Sequence, residues 1–181
     1  MKRRQLIYAG AASVAAVAGA SVAWWQIQPH GSATPQGPAG SGAAVDAFWQ
    51  QSFDSPDGTP MRMATFAGKP LLVNFWATWC PPCVEELPLI DRFYREHQSR
   101  NWQVLGLAVD QPSAVRAWLQ RQPLGFPVVM AGLQGTELSK SLGNLAGGLP
   151  FSVVFGGDGR LLHRKIGQVS PHDLSQWAQL A

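Results

Sequence analysis

The chain has 181 residues, 46% hydrophobic and 14% charged, enough to bury one core and short for two independent domains. Its formal charge of +3 arises at the very start: Lys2, Arg3 and Arg4 supply the excess, and the other 11 basic residues balance the 11 acidic ones. A neutral body offers no basic stripe to neutralise phosphates, so nucleic acid is excluded as an expected partner.

After Arg4, the stretch Leu6 to Trp25 carries no charge and closes on Trp24-Trp25, the layout of a signal peptide or signal anchor. At ~1.5 Å per residue a helix of this length covers the ~30 Å hydrocarbon core. No basic residue occurs between Arg4 and Arg62, so the charge rule places the N-terminus inside and the body on the periplasmic side of the cytoplasmic membrane. Ala18-Gly19-Ala20 and Ser21-Val22-Ala23 both offer small-x-small cleavage sites, so anchoring and release as a soluble periplasmic form both stay open. Residues 26–44 are rich in Gly, Pro, Ser and Ala and read as a flexible tether, with His30 solvated, leaving 45–181 as the folded domain.

Within that domain, Ala47–Phe53 and Met61–Phe66 flank Ser55-Pro56-Asp57-Gly58 and predict an opening β-hairpin. Leu71–Trp76 is a nearly continuous apolar run, as a strand buried on both faces requires. From Pro82 to about His97, Val84, Leu87, Ile90 and Tyr94 recur at helical spacing, with a kink predicted at Pro88. A strand over Gln103–Val109, a helix over Ser113–Gln122 capped by Ser113, a strand over Pro127–Met130 and a helix over Thr136–Leu142 follow. Phe151–Phe155, the Gly156-Gly157-Asp158-Gly159 turn and Leu161–Ile166 form a second hairpin, and Asp173–Leu180 a last helix. A βαβ unit followed by a hairpin and a terminal helix defines an α/β domain with right-handed crossovers.

The two cysteines of the chain, Cys80 and Cys83, stand two residues apart where a predicted strand meets a predicted helix. So short a loop brings two sulfurs within disulfide reach, and a helix N-terminus favours the thiolate that must attack. Cys80 is the expected exposed nucleophile and Cys83, one turn deeper, the resolving thiol. A zinc site needs about four ligands, and His97, His163 and His172 are distant in sequence. A structural staple is a weak alternative, because so short a loop restrains little of the unfolded chain. No dinucleotide fingerprint is present, and the Gly156–Gly159 run has no phosphate-loop lysine, so no cofactor is expected.

Pro81 and Pro82 lack N–H groups, which removes two donors from the Cys80 thiolate and points to a reducing couple. Glu86, three residues beyond Cys83 on the same helix face, is placed to exchange the proton of the resolving thiol. The helix macrodipole alone also favours acidic residues there, and accounts for Glu85. Trp76 reads as core, Trp79 as the rim against which a partner docks, and His163 and Lys165 as solvent-facing.

The run Asn74-Phe75-Trp76-Ala77-Thr78-Trp79-Cys80-Pro81-Pro82-Cys83, with Pro88 in the following helix and Leu149-Pro150 before a strand, resembles the TlpA-type membrane-associated thiol–disulfide reductases of the thioredoxin superfamily. The likeness covers about 45–181. It implies a thioredoxin-like fold with an N-terminal β-hairpin extension and an inserted central helical/strand segment. It also implies that Pro150 is cis and lies against the Cys80–Cys83 disulfide, with the Leu149 backbone pairing with substrate and Trp79, Pro81 and Pro82 lining the approach. By itself the sequence reads Pro150 as a strand starter. Many thioredoxins bury a carboxylate where this chain has Asn74; an amide cannot titrate, so proton handling shifts to Glu86.

The partners implied are disulfide-bearing exported proteins, apocytochrome c among them, with electrons from a membrane thiol reductase. Two other functions fit a lone cysteine pair: a thiol peroxidase, and a copper or haem-thiol carrier. The lack of a companion His or Met beside the motif counts against the carrier.

Overall fold

The computed structural model describes residues 42–180, so the apolar stretch 6–25 and residues 26–41 of the tether lie outside the described residues. The described chain opens on a helix, α1 (Gly42–Gln50), where the sequence predicts tether and then strand. Val45 and Phe48, three residues apart, form its buried face, and Phe48 stacks on Phe155 at 4.7 Å. The hairpin is shorter than predicted: β1 (Ser52–Asp54) pairs with β2 (Pro60–Arg62), setting Phe53 opposite Met61. The chain then turns into a 3₁₀ segment, Met63–Phe66, because Met63 and Phe66 must both reach the core and three-residue spacing aligns them.

Strands β3 (Leu71–Trp76), β4 (Gln103–Ala108), β5 (Val128–Met130), β6 (Phe151–Phe155) and β7 (Leu161–Ile166) complete one seven-stranded sheet in the order β2-β1-β5-β4-β3-β6-β7. β3 runs parallel to β4 and antiparallel to β6, and all six of its residues are buried. Strand alternation splits them: Leu72 and Trp76 pack with both cysteines, while Leu71, Val73 and Phe75 pack with Phe48, Met63 and Phe66 on the other side.

Helix α2 (Pro81–His97) runs through Pro88 as one element. Its buried stripe is Cys83, Glu86, Leu87, Ile90 and Phe93, with Val84 and Tyr94 at the margin. Helix α3 (Pro112–Arg121) is capped by Gln111 and not by Ser113, since Pro112 takes the first helical position, where its missing N–H costs nothing. Helix α4 (Gly132–Ser141) begins before the predicted Thr136. At Gly135 a Cβ would stand 2.7 Å from the Ala131 Cβ and 2.9 Å from Val109 Cγ2, so only glycine lets this helix lie on the sheet. Helix α5 (Pro171–Trp177) begins before the predicted Asp173, held by a capping box in which Ser170 and Asp173 satisfy each other's backbone N–H. Among the described residues no helix is long and apolar enough to cross a membrane.

Candidate active site

The C-terminal end of β3 delivers the chain through Ala77, Thr78 and Trp79 to Cys80, which has extended backbone and caps α2. Cys80 and Cys83 form a disulfide with their Cα atoms 5.3 Å apart. Cys80, expected from the sequence to be exposed, is buried at 5% in the disulfide, and Cys83 is fully buried. Pro81 and Pro82 occupy the first turn, and the N–H groups of Cys83 and Val84 both donate to the Cys80 carbonyl, at 3.1 and 3.2 Å. The amides of residues 81–84 therefore leave no donor over for the Cys80 sulfur.

Glu85 and Glu86 have opposite fates. Glu85 is exposed, while Glu86 turns inward beneath the cysteines and is almost entirely buried. Its Oε1 accepts a hydrogen bond from Asn74 Nδ2 at 2.7 Å and its Oε2 one from the Val169 N–H at 2.5 Å. Burial pushes the Glu86 carboxyl up from an ordinary 4.5 to about 7, against the downward pull of the Val169 and Asn74 hydrogen bonds. Asn74 Nδ2 also donates to Ser152 Oγ at 3.0 Å, and Asn74 Oδ1 is buried without a partner. With the amide turned over, that oxygen meets a protonated Glu86 and the Ser152 hydroxyl, so Asn74 can serve either protonation state of the acid.

Leu149–Pro150 is a cis peptide at the head of β6. Phe75 pairs with Phe151, which sets Pro150 level with Trp76, at the end of the sheet from which Cys80 emerges. The preceding loop is tied down by its own polar groups. Asn144 Nδ2 donates to the Gly148 carbonyl at 2.7 Å, and Arg164 Nε on β7 donates to the Leu142 carbonyl at 2.6 Å. Gly143 has φ +114°, and a Cβ there would fall 2.8 Å from Arg164 Cδ, so the crossing of loop and arginine needs glycine.

Trp79 is 65% exposed beside Cys80 while Trp76 is buried, as the sequence predicts. Leu145, in the loop before Pro150, and Ile166, opposite Phe151, are also large apolar residues in the open, 73% and 62% exposed. His163 faces solvent; Lys165 is half-buried and pairs with Asp173 at 3.0 Å, because α5 packs beside β7 there. Sequence reasoning also misses Thr78, Asp110, Ser152 and Val169. The signal for Ser152 is a hydroxyl inside the apolar run of β6, and for Asp110 a carboxylate just beyond a buried strand. Val169 carries no signal, because only its backbone N–H joins the network, and Thr78 contributes its hydroxyl to a carboxylate 32 positions away, which no local pattern marks.

A dithiol pair at a strand–helix junction, a cis-proline beside it and a central mixed sheet define a thioredoxin-fold thiol–disulfide oxidoreductase. Comparison with known proteins agrees. The redoxin family model matches residues 38–180, and the chain belongs to this family, within the thioredoxin superfamily. It is 28% identical over 122 residues to the thiol-disulfide oxidoreductase ResA of Bacillus thuringiensis subsp. konkukian, covering 67% of this chain and 68% of the relative. Among solved structures, a thiol:disulfide interchange protein of the thioredoxin family from Chlorobium tepidum TLS is similar with a TM-score of 0.64 and 30% identity, covering 72% of this chain and 92% of that one. A thioredoxin-related protein from Neisseria meningitidis serogroup B matches with a TM-score of 0.63 and 27% identity, over 72% of this chain and 97% of its own.

Proposed function

We propose that the protein reduces disulfides of exported proteins on the periplasmic side of the cytoplasmic membrane, held there or directed there by its N-terminal segment. The observation that carries the reading is the asymmetry of the pair, with Cys80 at an apolar rim and Cys83 above a buried carboxyl poised near neutrality.

In the reduced enzyme the Cys80 thiolate attacks one sulfur of the partner's disulfide; that S–S bond breaks and the other partner sulfur leaves as a thiolate. Glu86, one helical turn beyond Cys83, takes the Cys83 proton. The Cys83 thiolate then attacks the Cys80 sulfur of the mixed disulfide, releasing the second partner thiolate and closing the Cys80–Cys83 bond. Two electrons from a membrane dithiol reductase reopen it. Trp79, Pro81, Pro82 and Leu149, with Leu145 of the preceding loop, form the surface against which the partner chain lies, next to Pro150. The absence of spare amide donors at the head of α2 supports the reducing direction, since a poorly stabilised thiolate leaves the disulfide the favoured form. Apocytochrome c is the proposed partner by resemblance to the TlpA-type reductases.

The test is reduction of insulin disulfides by the full chain with dithiothreitol as electron donor. Turnover that vanishes in Cys80→Ser, with a mixed disulfide trapped in Cys83→Ser, supports the reading. Peroxide consumption without disulfide exchange would overturn it in favour of a thiol peroxidase, and stoichiometric Cu(I) retention without exchange in favour of a carrier.

A further inference from the structure

We propose that Asp110 is a positioning residue for disulfide exchange, holding Cys80 in place through Thr78. Asp110 lies two residues beyond the end of β4 and is partly buried. Its Oδ2 accepts the Thr78 N–H at 2.8 Å and the Thr78 Oγ1–H at 2.6 Å, and its Oδ1 accepts the Gln111 N–H at 2.7 Å. Thr78 lies two residues before Cys80, the cap of α2, and Gln111 is the cap of α3. One carboxylate therefore ties together the entries of two helices, one of which carries the reacting sulfurs.

In the segment between β3 and Cys80, Ala77 is held by burial in the core, and the polar restraints beyond the Thr78–Asp110 bonds are few. The β3–β4 ladder closes at the Val109 N–H donating to the Trp76 carbonyl at 2.8 Å, and beyond it Cys80 N–H reaches the Ala77 carbonyl at 3.3 Å. Trp79 is mostly in solvent and anchors nothing by burial. Both cysteines pack in the core with Leu72 and Trp76, and Thr78 adds a polar tie to the chain on the N-terminal side of Cys80. Hydrogen bonds to a carboxylate are roughly twice as strong as neutral ones, so two of them into one oxygen make this the firmest restraint on the loop.

A clamp that only stabilises the fold acts equally on the oxidised and reduced protein and leaves their equilibrium alone. A clamp that holds Cys80 within reach of Cys83 raises the effective molarity of one thiol for the other, and its loss shifts that equilibrium. The inference rests on the Cys80–Cys83 couple being the working one.

The experiment equilibrates the full chain and its variants with glutathione buffers and reads the fraction of Cys80–Cys83 disulfide, with folding followed by circular dichroism. Asp110→Ala is expected to lower the equilibrium constant for disulfide formation about tenfold, which is about 30 mV for a two-electron couple. Thr78→Val, which keeps the N–H bond and loses the hydroxyl, is expected to lower it about threefold, and the double variant no further than Asp110→Ala alone. Should Asp110→Ala not fold, the near-isosteric Thr78→Val decides the matter. Equilibria within twofold of wild type in folded variants would overturn the proposal, as would additive effects in the double variant, which would mean that Asp110 acts elsewhere. Because no protein substrate enters the readout, failure of the wild type to reduce insulin would sink the proposed function and leave this result legible.

Discussion

Beside Cys80 the indole of Trp79 stands 65% exposed, whereas beneath Cys83 the protein closes over Asn74, Glu86, Ser152 and the Val169 amide. The same disulfide thus has two environments, to which the proposed mechanism gives two tasks, receiving another chain and moving a proton. The rim works by area and shape, which degrade gradually when a side chain is trimmed. The floor holds a buried titratable group, whose loss removes a step of the proposed mechanism.

The largest effects separate the two sulfurs. Cys80→Ser is expected to reduce insulin turnover to background, whereas Cys83→Ser still attacks and accumulates a covalent complex on non-reducing gels. If the two variants behave alike, the division of labour is wrong. Next comes the floor: Glu86→Gln is expected to slow turnover at pH 7 about a hundredfold, as loss of a general base does, while single-turnover attack by Cys80 stays within threefold of wild type. An equal loss in both steps would place Glu86 on the Cys80 side.

Glu86 also leaves a thermodynamic mark. Its folded value of about 7 lies above its ordinary 4.5, so between these values the folded protein holds a proton that the unfolded chain has released. Stability is therefore fully present below about 4.5 and declines as pH rises through the window, by up to about 1.4 kcal/mol per pH unit. Urea titrations of the oxidised protein across this range are expected to show the slope in wild type and not in Glu86→Gln. A flat wild-type profile would mean that Glu86 ionises as freely as a surface carboxylate. The smallest effect belongs to the rim: Trp79→Ala is expected to raise KM for a protein disulfide about threefold to tenfold, with little change towards glutathione disulfide and an unchanged melting temperature. A large drop in melting temperature would mean that Trp79 packs rather than docks.

What the sequence discloses follows from how local its cause is. The continuous apolar run of β3, the helical spacing of α2 and the glycine turn between β6 and β7 are each set by neighbours in the chain, and each is recovered to within a residue or two. Helix α1 escapes because it buries only Val45 and Phe48, and small residues around them give little periodicity. Ser113 is misread as a cap because Pro112 competes for the start of the helix. At the site, Cys80, Cys83 and Glu86 sit within seven residues of one another and are legible together. The partners that tune Glu86 are not: Ser152 meets Asn74 across 78 positions, and Val169 meets Glu86 across 83. Strand register brings Asn74 to Ser152, and the packing of α2 beside the segment after β7 brings Glu86 to Val169; no local pattern encodes either.

The central claim is that this dithiol donates electrons to proteins, and the reduction potential of the Cys80–Cys83 couple tests it most directly. Equilibration of the full chain with glutathione buffers at pH 7 is expected to give a value more negative than about −200 mV, in the range of reducing thioredoxin-fold couples. A value well above about −150 mV would make the protein an oxidant and contradict the account.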